Sequence, residues 1–240
     1  MDVALPWLAP GDPLPTPESA WGLDTPAPGL LAAGGSLDTE TLCRAYAQGT
    51  FPWFSDGQPI LWWAPDPRMV LQVNQFKLHP SLRKTLKKFQ NSPECSITVD
   101  KAFSRVIRTC ATQSRKGQNG TWIVPSMVEA YEQLHALGVA HSVETWVDDK
   151  LVGGLYFVSL GKAVFGESMF AHVTDASKIA LAALVCIAKA QGVPWIDCQQ
   201  NTRHLASLGA AEIPRKAFVA DIQTLSSEPD PQWFFESVYW

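Results

Sequence analysis

Several features that mark common classes of protein are missing from this sequence. No apolar run approaches the roughly 20 residues that a membrane-spanning helix requires, and the first residues, Met1-Asp2-Val3, lack the basic segment that opens a signal peptide. The five cysteines are scattered, odd in number and form no C-x-x-C pair, which argues against a disulfide framework and a zinc site. These absences predict a cytoplasmic protein that does not bind membranes.

Motifs for nucleotide and metal chemistry are also missing. Neither G-x-x-x-x-G-K-[ST] nor G-x-G-x-x-G occurs, so no phosphate-binding loop or dinucleotide fold is indicated. Ser168 lies in Gly-Glu-Ser-Met, which is not the nucleophile elbow of a serine hydrolase. The five histidines lack the spacing of metal ligands. We therefore expect neither a cofactor nor a metal.

What remains is the composition of an ordinary globular protein. Of 240 residues, 46% are hydrophobic and 18% are charged, which suits one large domain or a small domain joined to a larger one. The net charge of −4 provides no global basic field, so nucleic acid would have to bind at a local patch. Ten tryptophans are many for this length, and they favour stacking or pocket surfaces in addition to core positions.

The first quarter of the chain predicts one small unit. Residues 1–29 are rich in proline and predict an extended arm on the surface. A tight turn is expected at 32–36, followed by a helix that Ser36 or Asp38 caps and that runs to about Gln48. Ile60-Leu61-Trp62-Trp63 then predicts a short strand. We place a small N-terminal α/β domain at 1–67, with the remainder, 68–240, as a second domain.

A basic helix is expected over 78–89. Its apolar residues fall on one face, and no acidic residue interrupts its bases. The bases that form the exposed patch are Arg83, Lys84, Lys87 and Lys88. Such a run is usually a solvated helix face, but in an acidic protein it also suits a phosphate-binding surface.

Two further helices and a polar loop follow. Asp100 is expected to cap a helix over 101–111, and the capping-box pattern Ser126-x-x-Glu129 predicts the start of a helix that ends at Leu137. Between them, the basic loop 113–120 is of the kind that often carries binding residues.

The hydrophobic pattern then changes to the two-residue alternation of β-strands, and it predicts an antiparallel meander. Three strands are predicted at 141–147, 151–160 and 163–170, followed by a helix that Asp175 caps over 176–190 and a strand at 193–199. This order is that of an N-acyltransferase core, in which two neighbouring strands part. The predicted class is α+β: a small N-terminal α/β domain followed by a GNAT-like acyltransferase domain, with a mixed, mainly antiparallel sheet flanked by helices.

Two carboxylates interrupt apolar strand segments and are the first candidates for chemistry. An ionised carboxylate in such a run must find hydrogen-bond partners or have its pKa raised, because unpaired burial is costly. Asp197 could orient an amine or accept its proton, and Gln199, on the same face of a regular strand, could bind a carbonyl or its oxyanion. Glu167 could bind a cation or tune Asp197. Each carboxylate could equally be a satisfied structural residue.

Taken together, the chain resembles the bacterial leucyl/phenylalanyl-tRNA-protein transferases. The matching blocks run in order from about residue 29 to 215. They are Gly29-Leu30-Leu31-Ala32-Ala33-Gly34-Gly35-Ser36-Leu37, Gly49-Thr50-Phe51-Pro52-Trp53-Phe54, Leu61-Trp62-Trp63-Ala64-Pro65-Asp66-Pro67-Arg68, Gly120-Thr121-Trp122-Ile123, Glu129-Ala130-Tyr131, Gly166-Glu167-Ser168-Met169-Phe170, Ile196-Asp197-Cys198-Gln199 and His204-Leu205-Ala206-Ser207-Leu208-Gly209.

The resemblance implies transfer of Leu or Phe, and less well Met, from aminoacyl-tRNA to the N-terminal Arg or Lys of a protein, which marks that protein for degradation. Such a reaction needs neither ATP nor a metal, because the aminoacyl ester is already activated. By motif position, Asp197 and Gln199 resemble the catalytic pair, with Glu167 as their partner. Trp53, Trp122 and Tyr131 resemble the residues that hold the 3′ adenosine. We expect a monomer whose partners are Leu-tRNA, Phe-tRNA and acceptor proteins.

The transferred side chain requires an apolar pocket, since only shape separates Leu and Phe from β-branched residues, and one methylene discriminates by only about 1–3 kcal/mol. The candidate walls are Leu155, Met169, Leu181, Leu184 and Ile196. With the resemblance, the basic patch becomes a candidate for sequence-independent contact with acceptor-stem phosphates.

Two other functions stay open. An acyl-CoA-dependent N-acetyltransferase would share the fold, but it should carry a glycine-rich pyrophosphate loop before the helix at 176, and residues 171–175 contain no glycine. A non-catalytic RNA-binding module would account for the bases and tryptophans, yet it leaves Glu167, Asp197 and Gln199 without a task.

Overall fold

The structure is a computed structural model that describes residues 4–113 and 122–239. Its strands form a four-stranded and a seven-stranded sheet. The predicted basic loop lies, from Ser114 onward, outside the described residues.

The small sheet is built from the first quarter of the chain, in the order β1-β2-β4-β3. β1 pairs parallel with β2, and the other pairings are antiparallel. Its strands are β1 (Trp7–Leu8), β2 (Leu30–Gly34), β3 (Phe51–Pro52) and β4 (Leu61–Trp63).

One prediction in this region is wrong. The tight turn expected at 32–36 is largely strand β2, because the small apolar residues of 30–33 pair with β4 and are buried. The glycines that suggested a turn follow at the strand's end, where Gly34 and Gly35 have φ values of +84° and +79°. The predicted extended arm is interrupted by turns and bends at 10–11 and 23–29 and by a short 3-10 turn at Pro17–Ser19, and its residues 7–8 form β1.

The large sheet has the order β11-β5-β10-β9-β8-β7-β6. All its pairings are antiparallel except that between β9 and β10, which is parallel. Its strands are β5 (Arg68–Gln72), β6 (Cys95–Val99), β7 (Ala140–Val147), β8 (Lys150–Leu160), β9 (Ala163–Ala171), β10 (Trp195–Gln199) and β11 (Ala211–Ile213). The predicted meander, β7 to β9, is confirmed.

Seven α-helices are described. They are α1 (Thr39–Ala47), α2 (Pro80–Gln90), α3 (Phe103–Thr112), α4 (Pro125–Ala136), α5 (Ala176–Ala190), α6 (Arg203–Ser207) and α7 (Arg215–Leu225). Short 3-10 turns also occur at Val73–Gln75 and Ser237–Tyr239. Within the described parts of the chain, no helix has the length and apolar character needed to cross a membrane.

The predicted helices exist, but several predicted caps are wrong. Asp38 caps α1 as expected, accepting from the backbone N–H of Thr41 at 2.9 Å. Asp100 instead binds the Ser142 N–H and His141. The Ser126 capping box is absent because α4 begins at Pro125, which has φ preset for a helix start. Asp175 occupies the N-cap position of α5, as expected, but it has φ +66° and its side chain contacts Lys178 rather than a helix N–H.

Helices cover the large sheet on both faces. The core cluster on one face joins side chains of α1, α3, α4 and α7 with Tyr156 and Phe165, and it continues into the small sheet. The cluster on the other face joins α5 with Leu155, Phe157 and Ile196. Successive strand residues therefore serve opposite cores. The class is α+β with a mixed, mainly antiparallel sheet flanked by helices, as predicted.

Strands β9 and β10 part soon after they meet. Their parallel pairing extends over only two residue pairs, Ile196 with Val164 and Asp197 with Phe165. Beyond these pairs the strands diverge, and the predicted gap lies between them. The sequence did not predict β5, β6 or α7; β5 pairs with β10 on the side away from β9 and so fixes one edge of the gap.

The packing of α5 on β8 predicts a sensitivity at Gly153. A Cβ there would lie 2.5 Å from the Cβ of Ala176 and 2.7 Å from its carbonyl carbon. We expect Gly153→Ala to lower the free energy of unfolding by about 1–3 kcal/mol, because backbone must shift to admit the methyl group. Urea denaturation measures this. Gly22→Ala is the matched control, since a Cβ there meets nothing within 4 Å, and it should change stability by less than about 0.5 kcal/mol. Equal midpoints for the two variants would contradict the expectation.

Candidate active site

The gap between β9 and β10 opens into a cavity of about 390 Å³, within the usual range of about 300–1,000 Å³ for ligand sites. Its lining includes Glu167, Asp197 and Gln199, so the structure brings the three predicted catalytic residues together. All five predicted pocket residues also line it: Leu155, Met169, Leu181, Leu184 and Ile196.

Both strands that border the gap carry a β-bulge at these residues. On β9, Tyr156 pairs with Ser168 and Phe157 with Gly166, so Glu167 has no partner in β8. On β10, the register against β5 shifts between Asp197 and Gln199. A bulge turns a side chain away from regular alternation and often lies beside an active site. The sequence predicted that Asp197 and Gln199 lie on the same face of a regular strand. The strand is not regular between these two residues, so that prediction does not apply.

Gly166 allows the two strands to approach at the mouth of the gap. A Cβ on this residue would lie 3.2 Å from the carbonyl oxygen of Asp197 and 3.4 Å from Cγ2 of Ile196. The glycine before Glu167 therefore keeps the bulge of β9 close to β10.

Asp197 is fully buried and paired with Arg68. Arg68 Nε donates to Asp197 Oδ1 at 2.8 Å, and Nη2 donates to Oδ2 at 2.6 Å. The backbone N–H of Gln199 also donates to Oδ1, at 2.9 Å. Since the side chain has no exposed surface, this carboxylate has little capacity for contact with a ligand.

Glu167 has a different environment. It is partly buried; Oε1 accepts from the Tyr46 hydroxyl at 2.7 Å and from Gln199 Nε2 at 3.0 Å, while Oε2 accepts from the Tyr131 hydroxyl at 3.3 Å. Burial raises the pKa of Glu167 to about 7, and the charge of Asp197 adds to the rise, whereas the hydrogen bonds from Tyr46, Gln199 and Tyr131 oppose it. The carboxyl group thus exchanges its proton near neutral pH.

The two tyrosines below Glu167 remain neutral. Their hydroxyls bind each other, and burial raises the pKa of both phenols well above 10, with the charge of Glu167 as a further cause. Tyr46 therefore donates its proton to Glu167, whereas Tyr131, at the longer distance of 3.3 Å from Glu167, shares its single proton between Tyr46 and Glu167. Sequence reasoning missed Tyr46, which lies in α1 and is buried.

The predicted adenosine-binding residues separate into two groups. Trp53 and Trp122 are half-buried and line the cavity. Tyr131 is fully buried and is not among the lining residues, so it offers no ring face to a base. Trp53 is itself held by Trp63, whose indole N–H donates to the Trp53 carbonyl at 2.7 Å.

Other lining residues were not singled out from the sequence. They include Phe51, Cys198, Thr202, His204 and Leu205. Burial lowers the pKa of His204, and the charge of Lys178 contributes to the decrease. Burial raises the pKa of the Cys198 thiol, and Asp197 adds to the increase, so this thiol is not an activated nucleophile.

The predicted basic patch lies on α2. All four of its side chains are exposed, and none forms an ion pair with another described residue. At the start of α2, His79 Nε2 lies 2.7 Å from the carbonyl oxygen of Ser207 in α6. Because Thr202 and His204 of the α6 segment line the cavity, α6 connects the patch to the cavity. No group of side chains suited to a metal occurs among residues 4–113 and 122–239.

Comparison with known proteins gives a consistent family. The model of the family described as leucyl/phenylalanyl-tRNA protein transferase matches residues 70–223, and the model of its N-terminal domain matches 35–66. A leucyl/phenylalanyl-tRNA–protein transferase of a Polaromonas species is 64% identical over 98% of this chain and 92% of the relative. The protein of the same name from Albidiferax ferrireducens is 58% identical over 98% of this chain and 93% of the relative.

Solved structures resemble the chain weakly. A GCN5-related N-acetyltransferase from Kribbella flavida has a TM-score of 0.33 at 9% identity, over 70% of this chain and 58% of that one. Similarity at this level supports no conclusion.

The environment of Glu167 predicts its titration. We expect its side-chain carboxyl carbon, observed by NMR in specifically labelled protein, to titrate with a midpoint of about 7. Tyr46→Phe removes a hydrogen bond to the ionised form, so the midpoint should rise, by about one pH unit. Tyr239→Phe is the control because the described contacts of Tyr239 are to the Phe234 and Phe235 rings. A wild-type midpoint near the ordinary value of 4.5 would contradict the raised pKa.

Proposed function

Because the chain belongs to the leucyl/phenylalanyl-tRNA–protein transferase family, we propose that it transfers Leu or Phe, and less well Met, from aminoacyl-tRNA to the N-terminal Arg or Lys of acceptor proteins. The single observation that carries the proposal is the cavity between the parted strands, where an apolar wall faces a carboxylate with a pKa near 7. The product is a protein marked for degradation by the N-end rule. The enzyme acts as a cytoplasmic monomer.

The apolar wall receives the side chain of the transferred amino acid. Leu181 and Leu184 come from α5, and Leu155, Met169 and Ile196 from the sheet below it. Leu and Phe are unbranched at Cβ, and this shape suits a pocket closed by these side chains. A polar side chain would be buried there without a hydrogen-bond partner.

The two tryptophans at the cavity receive the 3′ adenosine that carries the amino acid. Both residues line the cavity, and stacking of an unpaired base on an aromatic ring contributes roughly 1–3 kcal/mol. We infer that Tyr131, which the sequence grouped with Trp53 and Trp122, serves the same site from below by donating to Glu167.

Glu167 is the proton acceptor in this proposal. The acceptor's terminal amine loses its proton to Glu167 as it attacks the ester carbonyl carbon. The tetrahedral intermediate then expels the ribose 3′ oxygen, which takes the proton from Glu167. The C–N bond forms as the C–O bond breaks, and no other reactant is consumed. A pKa near 7 suits both proton transfers at neutral pH.

Asp197 and Gln199 support this step in different ways. Asp197 holds the backbone of Gln199 through the bond to its N–H. The Gln199 side chain donates to Glu167, and the second N–H of its amide is available to the developing oxyanion. The sequence left open whether Asp197 is a base or an orienting group; its buried pairing with Arg68 supports the orienting role.

The basic patch on α2 contacts the acceptor stem of the tRNA. Its connection to the cavity through α6 supports a path from the stem to the 3′ end. The contact is to phosphates, so it positions the tRNA without reading its sequence.

The alternative acetyl-CoA reaction has less support. Its pyrophosphate would bind at the N-terminus of the helix that follows β9. In this chain Asp175 introduces a carboxylate there, and Lys178 is already engaged with it at 2.7 Å.

Mass spectrometry of a model peptide tests the proposal. A pool of charged tRNAs is incubated with peptides that begin with Arg, Lys or Ala. We expect addition of Leu and Phe, and of less Met, to the first two peptides only. Glu167→Gln should lower kcat by roughly 100- to 10,000-fold because it removes the proton acceptor and keeps the shape. No addition by the wild type would overturn the proposal, and acetylation of the peptides from acetyl-CoA would replace it with the alternative.

Charge reversal tests the patch. We expect Lys84→Glu and Lys88→Glu each to raise KM for aminoacyl-tRNA. Each should also reduce the slope of log(kcat/KM) against log[salt] by about 0.7–0.9, the value for roughly one lost phosphate contact. The peptide KM should not change. Lys216→Glu is the matched control, since Lys216 is also exposed but lies on α7, which packs on the opposite face of the sheet. Equal effects of all three variants would show that net charge, and not the patch, matters.

A further inference from the structure

We propose that Arg68 is a positioning residue for aminoacyl transfer: its guanidinium fixes Asp197 in the orientation that holds Gln199 against Glu167 at the cavity. The inference rests on the proposed function of this cavity. It gives a task to a residue whose only signal in the sequence is its place at the end of a matching block.

The contact between Arg68 and Asp197 is a two-point contact. Nε and Nη2 of the guanidinium donate to separate carboxylate oxygens at 2.8 and 2.6 Å. The arginine side chain is 1% exposed and the aspartate side chain 0%. Two parallel hydrogen bonds fix the rotation of the carboxylate as well as its place. Lysine would provide a point charge without this planar fork.

The third nitrogen of the guanidinium, Nη1, connects the ion pair to other parts of the molecule. Nη1 donates to the Gly49 carbonyl at 2.9 Å, just before β3 of the small sheet. The ring of Phe51 lies 4.8 Å from the guanidinium carbon, and that of Phe218 in α7 lies 4.6 Å from it. Arg68 is therefore held by the small sheet and by α7, and it transmits that restraint to β10.

The residue that Asp197 holds, Gln199, has a strained backbone. Gln199 has φ +61°, a left-handed conformation that is uncommon for a residue other than glycine and persists where its surroundings hold it. Its backbone N–H donates to the same Asp197 oxygen that Arg68 Nε binds. Its side-chain amide then reaches Glu167 at 3.0 Å. If Asp197 turned, the N–H of Gln199 would lose its acceptor, and the amide would no longer be held at the carboxylate.

Steady-state transfer of Phe from Phe-tRNA to an Arg-initiated peptide measures the effect. We expect Arg68→Lys to lower kcat by about 10- to 100-fold, with KM for both substrates changed by less than about 3-fold, because substrate binds but the reacting groups are misplaced. In a Gln199→Gly background, which lacks the amide and tolerates the left-handed φ, the same substitution should lower kcat by less than about 2-fold.

A merely structural role predicts a different pattern. Arg68→Lys would then lower kcat by the same factor in both backgrounds, and this result would overturn the proposal. Arg108→Lys is the matched control: Arg108 makes the same two-point contact, with Glu132 at 3.1 and 2.9 Å, but its side chain is 62% exposed. We expect wild-type kcat from it.

Circular dichroism of Arg68→Lys and the kcat of Phe218→Leu distinguish loss of folding from loss of positioning. Should circular dichroism show that Arg68→Lys does not fold, Phe218→Leu loosens the guanidinium while keeping the ion pair, and its loss of kcat should likewise vanish with Gln199→Gly. An unchanged kcat in Phe218→Leu would then count against the proposal. Failure of the proposed function itself appears in the wild type, as absence of transfer, and so is distinct from failure of the positioning role.

Discussion

The site depends on a fully buried ion pair, Arg68 with Asp197. Removing two charges from water costs several kcal/mol per ion, and their attraction often does no more than offset that cost. The pair is thus weak evidence of stability. Its geometric effect is stronger, because the guanidinium binds the small sheet, α7 and β10 at once. The same carboxylate accepts from the backbone N–H of Gln199, the last residue of β10.

The two carboxylates of the cavity have the same chemistry but different surroundings. Asp197 forms an ion pair with the Arg68 guanidinium at 2.6 Å. Glu167 instead accepts hydrogen bonds from the neutral donors Tyr46, Tyr131 and Gln199. A hydrogen bond from a phenol supports the ionised form less than a guanidinium does. Burial therefore outweighs those donors at Glu167 and raises its pKa to about 7. Divided environments of this kind assign separate tasks to paired acids.

Much of this architecture could be predicted from local patterns. Alternation along 140–171 and the mainly apolar helix α5 depend on near neighbours in sequence, and they predicted the meander and the helix that follows it. The five pocket residues were proposed once the resemblance had implied an apolar pocket, and all five line the cavity. The bulges at Glu167 and Gln199 could not be predicted in this way, because they depend on registers between distant strands. Arg68 and Tyr46 escaped for the same reason: their partners lie more than 80 residues away along the chain.

Specificity and reactivity share one physical origin in this cavity. In the proposed reaction, the apolar side chains that line the cavity around Glu167 receive Leu or Phe, and burial is the main cause of the raised pKa of Glu167. A bound Leu or Phe side chain removes more water and further disfavours the ionised form, while an acceptor amine brings a proton and a positive charge that favour it. These two effects on the pKa of Glu167 oppose each other, so in the proposed reaction the pocket that receives the donor side chain also influences the proton affinity of the base.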